Sequence, residues 1–296
     1  MSAGGKELRN LLEAPEILIM PGVYDGFSCR VVEQAGFRVG SISGAGISES
    51  HLGWADRGIM SLHDNLNACR DMVNCSNLLL MADGDTGYGN AVNVHFTVRA
   101  FEQIGLCGLM LEDQVWPKRC GHMKGKDVIA FDEAVGKIRA AANARRSPDF
   151  LIKARTDAAG THGIDEAIRR LNAYAEAGAD CLFADALLTA DDIAKVAKSV
   201  SKPLFVNMGF GIKSRPTTPL IGPEDLQAMG VSAVVYPRLL TSAALRGMMN
   251  AMSVFKDEVV SANGTPDRSD LMIGFDDLNQ LTGMAFLDNI ESQFTS

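Results

Sequence analysis

Eight short apolar runs punctuate the chain, each bounded by glycine or polar residues and spaced widely enough for a helix to intervene. They read EILIMPG (16–22), RVGSISG (38–44), LLLMADG (78–84), GLMLED (108–113), FLIKARTD (150–157), DCLFAD (180–185), PLFVNM (203–208) and SAVVYP (232–237). Between them the periodicity changes. NVHFTVRAFEQIG, DEAVGKIRAAANA and IDEAIRRLNAYAEAG carry an apolar stripe at helical spacing. Gly36, Gly105, Gly178 and Gly230 each follow such a helical run and precede the next apolar run, the place where a helix ends most easily on glycine. Strands that are apolar almost throughout suit a parallel sheet covered on both faces. Eight such βα units predict an α/β fold of the closed (β/α)8 TIM-barrel type. The competing open, doubly wound sheet has no G-x-G-x-x-G after the first strand to support it.

The barrel places function, because catalytic groups then collect at the C-terminal strand ends. Polar residues gather there: Ser43 and Gly44 after the second run, Asp83 and Asp85 after the third, Glu112 and Asp113 after the fourth. Arg155, Thr156 and Asp157 follow the fifth, Asp185 the sixth and Asn207 the seventh. Single residues of these types often cap helices, but six strand ends converging on one mouth indicate a site.

Composition narrows the partner. With 47% hydrophobic and 22% charged residues the chain is globular, and a net charge of -8 without a dense basic run argues against nucleic acid. No apolar run approaches the ~20 residues of a membrane span, and the start MSAGGKELRN carries no secretory or mitochondrial signature. The six scattered cysteines form no CxxC pair, which indicates reduced thiols and a cytoplasmic protein. The expected partner is a small molecule.

If the chain stays extended through MADGD, Asp83 and Asp85 project to the same side. With Glu112 from the neighbouring strand they offer oxygens to a hard divalent cation. Mg2+ needs only one direct carboxylate, here Asp85, with Asp83 and Glu112 acting through water. Zinc is disfavoured by the absence of paired His or Cys. The other possibility is an acidic turn built on Gly87 and Gly89.

The stretch EDQVWPKRCGH crowds charges around Cys120. Lys118 and Arg119 beside it would lower its thiol pKa and make it usable in proton transfer. Cys29, Cys69, Cys75, Cys107 and Cys181 sit in apolar or helical contexts and are expected as buried packing residues, as is His95 in its helical stripe. Arg155 either binds a substrate carboxylate or pairs with Asp157 or Asp185.

SGAG (43–46), ADGDTGYGN (82–90), LEDQ (111–114), KRCGH (118–122), ARTDA (154–158) and VVYP (234–237) together resemble the isocitrate lyase and phosphoenolpyruvate mutase superfamily, in its short-chain lyase branch. The resemblance implies Mg2+-dependent cleavage, with Mn2+ as a possible substitute, of the C2–C3 bond of a 2-hydroxy di- or tricarboxylate. The products are an α-keto acid and a second carboxylate. It implies that Asp85 holds the metal with Asp83 and Glu112 in its water shell, and that Ser43, Gly44 and Ala45 cradle the keto-acid group. Asp56 lies near metal and substrate, and Cys120 protonates the leaving fragment. Lys118, Arg119 and His122 set the protonation of Cys120, and Arg155, Asn207 and Asp185 take substrate-binding positions. It further implies a barrel over residues 1–256 and a helical extension over 257–296 that packs against or swaps with a neighbour in a homotetramer; an ordinary amphipathic cap on the barrel is the alternative.

Departures cluster where specificity is set. Ser41 stands where an aromatic is common, and Asp185 replaces a longer Glu. Lys213 and Arg215 are extra cations, Arg238 follows Pro237, and Met123 follows His122. These favour an alkylmalate-type substrate over 2-methylisocitrate. Oxaloacetate hydrolysis or decarboxylation on the same scaffold is the nearest rival. A non-catalytic metal-binding assembly module is the rival of another class.

Overall fold

The computed structural model describes residues 3–119, 125–210 and 218–295. Each apolar run contributes one strand: β1 Leu18–Val23, β2 Val39–Ile42, β3 Leu79–Asp83, β4 Gly108–Glu112, β5 Leu151–Thr156, β6 Cys181–Ala184, β7 Leu204–Asn207 and β8 Ala233–Tyr236. All neighbours pair in parallel, and β8 returns to β1 through Leu18 opposite Ala233 and Met20 opposite Val235, closing the barrel. The polar residues sit at the strand ends or just beyond them. After β2, Ser43 N still donates to Val23 O at 2.9 Å, while its side chain accepts from Gly46 N at 3.0 Å and caps the helix Gly44–His51.

The three striped segments form the helices Ala91–Gln103, Phe131–Ala144 and Ile164–Glu176. Gly36, Gly105, Gly178 and Gly230 all take positive φ, between 85° and 109°, directly after a helix C-cap. That conformation lets the last turn close its carbonyls and swing into the next strand, at a cost for any side chain with a Cβ.

Two apolar layers follow from the alternation of strand side chains. Inside the barrel Met20, Val39, Met81, Met110, Leu151, Phe183, Phe205 and Val235 pack together. Outside, Leu80, Leu109, Ile152, Leu182, Val206 and Val234 meet the helices. The helix Ala3–Glu13, which strand and stripe patterns did not reveal, inserts Leu8 and Leu12 against the inner layer. It seals the end of the barrel opposite the catalytic mouth.

Beyond β8 run the helices Leu239–Val254, Phe275–Leu281 and Met284–Phe294, with a wider-wound turn at Phe255–Ser261. None of them contains a buried residue. Among the described residues no helix is long and apolar enough to cross a membrane, and Cys29, Cys69, Cys75, Cys107 and Cys181 are unpaired thiols. Burial pushes Cys29 and Cys181 up to about 12 and Cys107 to about 11, as expected of packing residues.

Because Leu8 is completely buried, Leu8→Ala removes apolar contact from the barrel floor and leaves a cavity. We expect a loss of about 2–5 kcal/mol, read as a lower midpoint in urea unfolding; a change below about 0.5 kcal/mol would show that the plug carries no stability.

Candidate active site

The strand ends and the loops after them line an open cavity at the C-terminal mouth. Its lining includes Ser43, Ala45, Asp56, Asp83, Glu112, Lys118, Arg119, Arg155, Asp185 and Asn207. Gly44 packs behind it: a Cβ there would lie 3.0 Å from Asp83 Oδ2, so glycine lets that carboxylate approach the start of the helix Gly44–His51. Aligned backbone N–H groups at such a helix start favour an anion. Cys120 and His122, like Met123, Lys213 and Arg215, lie outside the described residues.

The two aspartates of MADGD do not project as an extended chain would place them. The ladder runs to Asp83, its last bond donated by Gly84 N to Met110 O at 2.8 Å, and the chain then turns, with Asp83 Oδ1 accepting from Asp85 N at 3.0 Å. Asp85 is thereby held at φ +49°, a left-handed conformation that is costly for a residue with a Cβ. Its carbonyl accepts from Glu112 N at 2.9 Å. Asn65, fully buried, donates to Asp83 O at 2.7 Å and to Tyr88 Oη at 2.8 Å. The turn is fixed on both sides.

Lys118 reaches into this cluster, its Nζ 2.6 Å from both Asp56 Oδ1 and Asp85 Oδ1. Burial opposes its charge, but Asp85, Glu112, Asp83 and Asp56 outweigh that and hold its pKa well above the ordinary lysine value. Burial raises Asp85 and Glu112, against the pull of the neighbouring cations. Lys118 and Arg155, both buried, lie within ion-pair distance of five carboxylates, Asp56, Asp85, Glu112, Asp157 and Asp185.

Arg155 resolves the choice left by the sequence in favour of ion pairing, without closing the cation to a ligand. Its Nε lies 2.8 Å from Asp157 Oδ2 and 3.2 Å from Glu112 Oε2, and its Nη2 lies 3.0 Å from Asp157 Oδ1 and 2.6 Å from Asp185 Oδ2. Nη1 has no such partner among the described residues. Burial raises Asp157, but Arg155 and Lys126 overcome it and hold the carboxyl well below the usual range.

Residues to which the sequence assigned no role brace the site. Asp113 accepts from Thr156 Oγ1 at 2.6 Å, Asp157 N at 3.0 Å, Tyr174 Oη at 2.7 Å and Arg170 Nη1 at 3.1 Å. One buried carboxylate thus ties β4, β5 and the helix Ile164–Glu176. Gln114 clamps the backbone of Arg119, donating to its carbonyl at 2.9 Å and accepting from its N–H at 3.0 Å. An antiparallel bridge between Gln114 and Val128 closes the neck of the intervening loop, and Lys126 Nζ meets Asp157 Oδ1 at 2.5 Å. Arg238, an outlier in the sequence, pairs through both guanidinium arms with Glu49 at 2.6 and 2.7 Å. Asp113 and Gln114 were visible within LEDQ; partners 189 residues apart were not.

The donor set fits a hard divalent cation. Asp85 Oδ2, Glu112 Oε1 and Asn207 Oδ1 are buried with no hydrogen-bond donor among the described residues, while Asp85 Oδ1 meets the Lys118 ammonium, and unmatched buried oxygens are costly. Among the described residues no three His, Cys, Asp or Glu side chains converge as a ready cage. That agrees with Mg2+, which keeps several waters and takes one or two carboxylates.

Comparison with known proteins follows the same lines. The family model "Phosphoenolpyruvate phosphomutase" matches residues 8–256. The 2,3-dimethylmalate lyase of Eubacterium barkeri is 35% identical over 98% of both chains. A structure of oxaloacetate acetylhydrolase in complex with the inhibitor 3,3-difluorooxalacetate superposes with a TM-score of 0.90 at 33% identity, covering 98% of this chain and 97% of the other. Phosphonopyruvate hydrolase in complex with oxalate and Mg2+ gives a TM-score of 0.83 at 27% identity with complete coverage of both chains. The motifs that resembled this superfamily lie within the matched span, and the chain belongs to the phosphoenolpyruvate phosphomutase family.

Proposed function

We propose that the protein is a Mg2+-dependent carbon–carbon lyase that splits a 2-hydroxy di- or tricarboxylate, of alkylmalate or 2-methylisocitrate type, into an α-keto acid such as pyruvate and a second carboxylate. The observation that carries this is the pair of buried oxygens Asp85 Oδ2 and Glu112 Oε1, which no donor meets among the described residues, beside a cavity that Arg155 also lines. The lyase relative supports it.

Asp85 would hold the ion directly, with Asp83 and Glu112 through water, and the ion would supply positive charge to the carboxylate and C2 oxygen of the keto-acid half. Ser43, Gly44 and Ala45 bind that half through the helix start, where backbone N–H groups answer the developing negative charge. Arg155 orients a carboxylate through Nη1, and Asn207 adds a polar contact. Asp185 fixes the guanidinium of Arg155. Asp56 holds Lys118 against the acidic cluster. When C2–C3 breaks, the hydroxyl proton at C2 leaves to the carboxylate cluster and the electron pair goes to C3, where Cys120 donates a proton. Lys118, Arg119 and His122 tune that thiol. A positioned proton donor of this kind contributes about 10²–10⁴-fold.

A second reading, hydrolysis of oxaloacetate, is favoured by the superposition on oxaloacetate acetylhydrolase; it uses the same cavity. A non-catalytic assembly module leaves the matched acids and cations of the mouth without a task. We place the protein in the cytoplasm, without nucleic-acid or membrane partners, as a homotetramer. Met248, Met249, Met252, Phe275, Phe286 and Phe294 are exposed on the C-terminal helices, and apolar surface of that extent is normally covered. A swapped extension over 257–296 would cover it.

Incubation with 2,3-dimethylmalate, 2-alkylmalates, 2-methylisocitrate and oxaloacetate distinguishes the readings. We expect keto acid from a 2-hydroxy acid, lost with EDTA and restored by Mg2+ or Mn2+; turnover that persists in chelator removes the metal from the scheme, and oxalate from oxaloacetate alone establishes the rival. Cys120→Ser should lower kcat by at least about 10²-fold with Mg2+-dependent keto-acid binding retained in calorimetry, and an unchanged kcat would exclude the thiol as proton donor. Light scattering should give the mass of four chains, and truncation before residue 257 a smaller species; a full-length monomer at micromolar concentration would refute the assembly.

A further inference from the structure

A buried cation, Lys153, lines the cavity with no carboxylate to meet it among the described residues. Lys153 precedes Arg155 by two positions on β5, so both side chains enter the barrel interior. It is 2% exposed and lines the same cavity as Asp83, Glu112 and Arg155. Its neighbours in that lining are matched: Lys118 with Asp56 and Asp85, Arg155 with Asp157, Asp185 and Glu112, and Arg238 with Glu49. Among the described residues Lys153 has no carboxylate within ion-pair distance and no hydrogen-bond acceptor. Its Nζ lies instead 4.6 Å from the ring centre of Phe205 and 5.8 Å from that of Phe183.

Aromatic faces return at most about 2 kcal/mol to a desolvated ammonium, less than the several kcal/mol that burial of an ion costs. Burial pushes the amine down to about 8, which leaves it mostly cationic at neutral pH. A methionine would fill the same space between the rings without that cost. What the lysine adds is a positive charge directed at whatever occupies the cavity.

We propose that Lys153 is a second anion-recognition point, beneath the one formed by Arg155 and the helix start at Gly44, and that it binds an additional carboxylate on the keto-acid half of the substrate. This rests on the keto-acid reading above and narrows it. The site prefers a 2-oxo dicarboxylate fragment to pyruvate, and its parent 2-hydroxy acid carries the same extra carboxylate. The preference comes from one charge-assisted hydrogen bond donated by a buried ammonium.

Calorimetric titration of the full-length protein with Mg2+ present, using pyruvate, oxaloacetate and 2-oxoglutarate, tests this. The wild type should bind one of the two diacids at least about tenfold more tightly than pyruvate. That ratio should fall to within about twofold in Lys153→Met and in Lys153→Gln, which keeps a polar chain without the charge. A wild type that binds pyruvate as tightly as both diacids overturns the inference alone, as does a diacid preference that survives either substitution. A wild type that binds none of the three overturns the keto-acid reading and the inference with it.

Discussion

The structure depends on a concentration of negative charge held out of water at the barrel mouth. Asp56, Asp83, Asp85 and Glu112 would repel one another if left together. Lys118 and Arg155 compensate them only in part. The surrounding scaffold exists to keep that arrangement in place: Asp85 in a left-handed turn, Asn65 beneath it, and Asp113 tying two strands and a helix. Such a site is tuned to receive positive charge on one side and a carboxylate-bearing ligand on the other, which is what heterolysis of a carbon–carbon bond requires.

Much of the architecture was legible because its determinants are local. Eight apolar runs, three striped helices and four glycines after helix ends each signal within a dozen residues, and the barrel follows from their count and order. The strand-end rule then pointed to the mouth, and ten of the residues chosen that way or by family resemblance do line a single cavity. The metal reading from MADGD was less direct, since it assumed an extended chain where a turn intervenes. A pair of side-chain hydrogen bonds decides that geometry, and neither shows in a linear pattern.

What stayed hidden is long-range or depends on depth. Nothing near Arg238 names Glu49 as its partner, and nothing in KGKDV says that Lys126 crosses to Asp157. Lys153 was hidden differently, within a strand whose apolar character masked it. Its register with Arg155 carried the signal, since inward positions alternate along a barrel strand. The N-terminal plug escaped notice because a helix with only Leu8 and Leu12 to bury has too short a stripe to stand out.

The Gln114–Val128 bridge gives the segment between them a single doorway roughly 5 Å across, one interstrand spacing. Chain enters and leaves there side by side, and the excursion is tied back to the barrel mouth through Lys118 at Asp56 and Asp85 and through Lys126 at Asp157. A change of sequence in this segment therefore reaches the acidic cluster directly, because any replacement has to supply the positive charge that Lys118 and Lys126 bring to it.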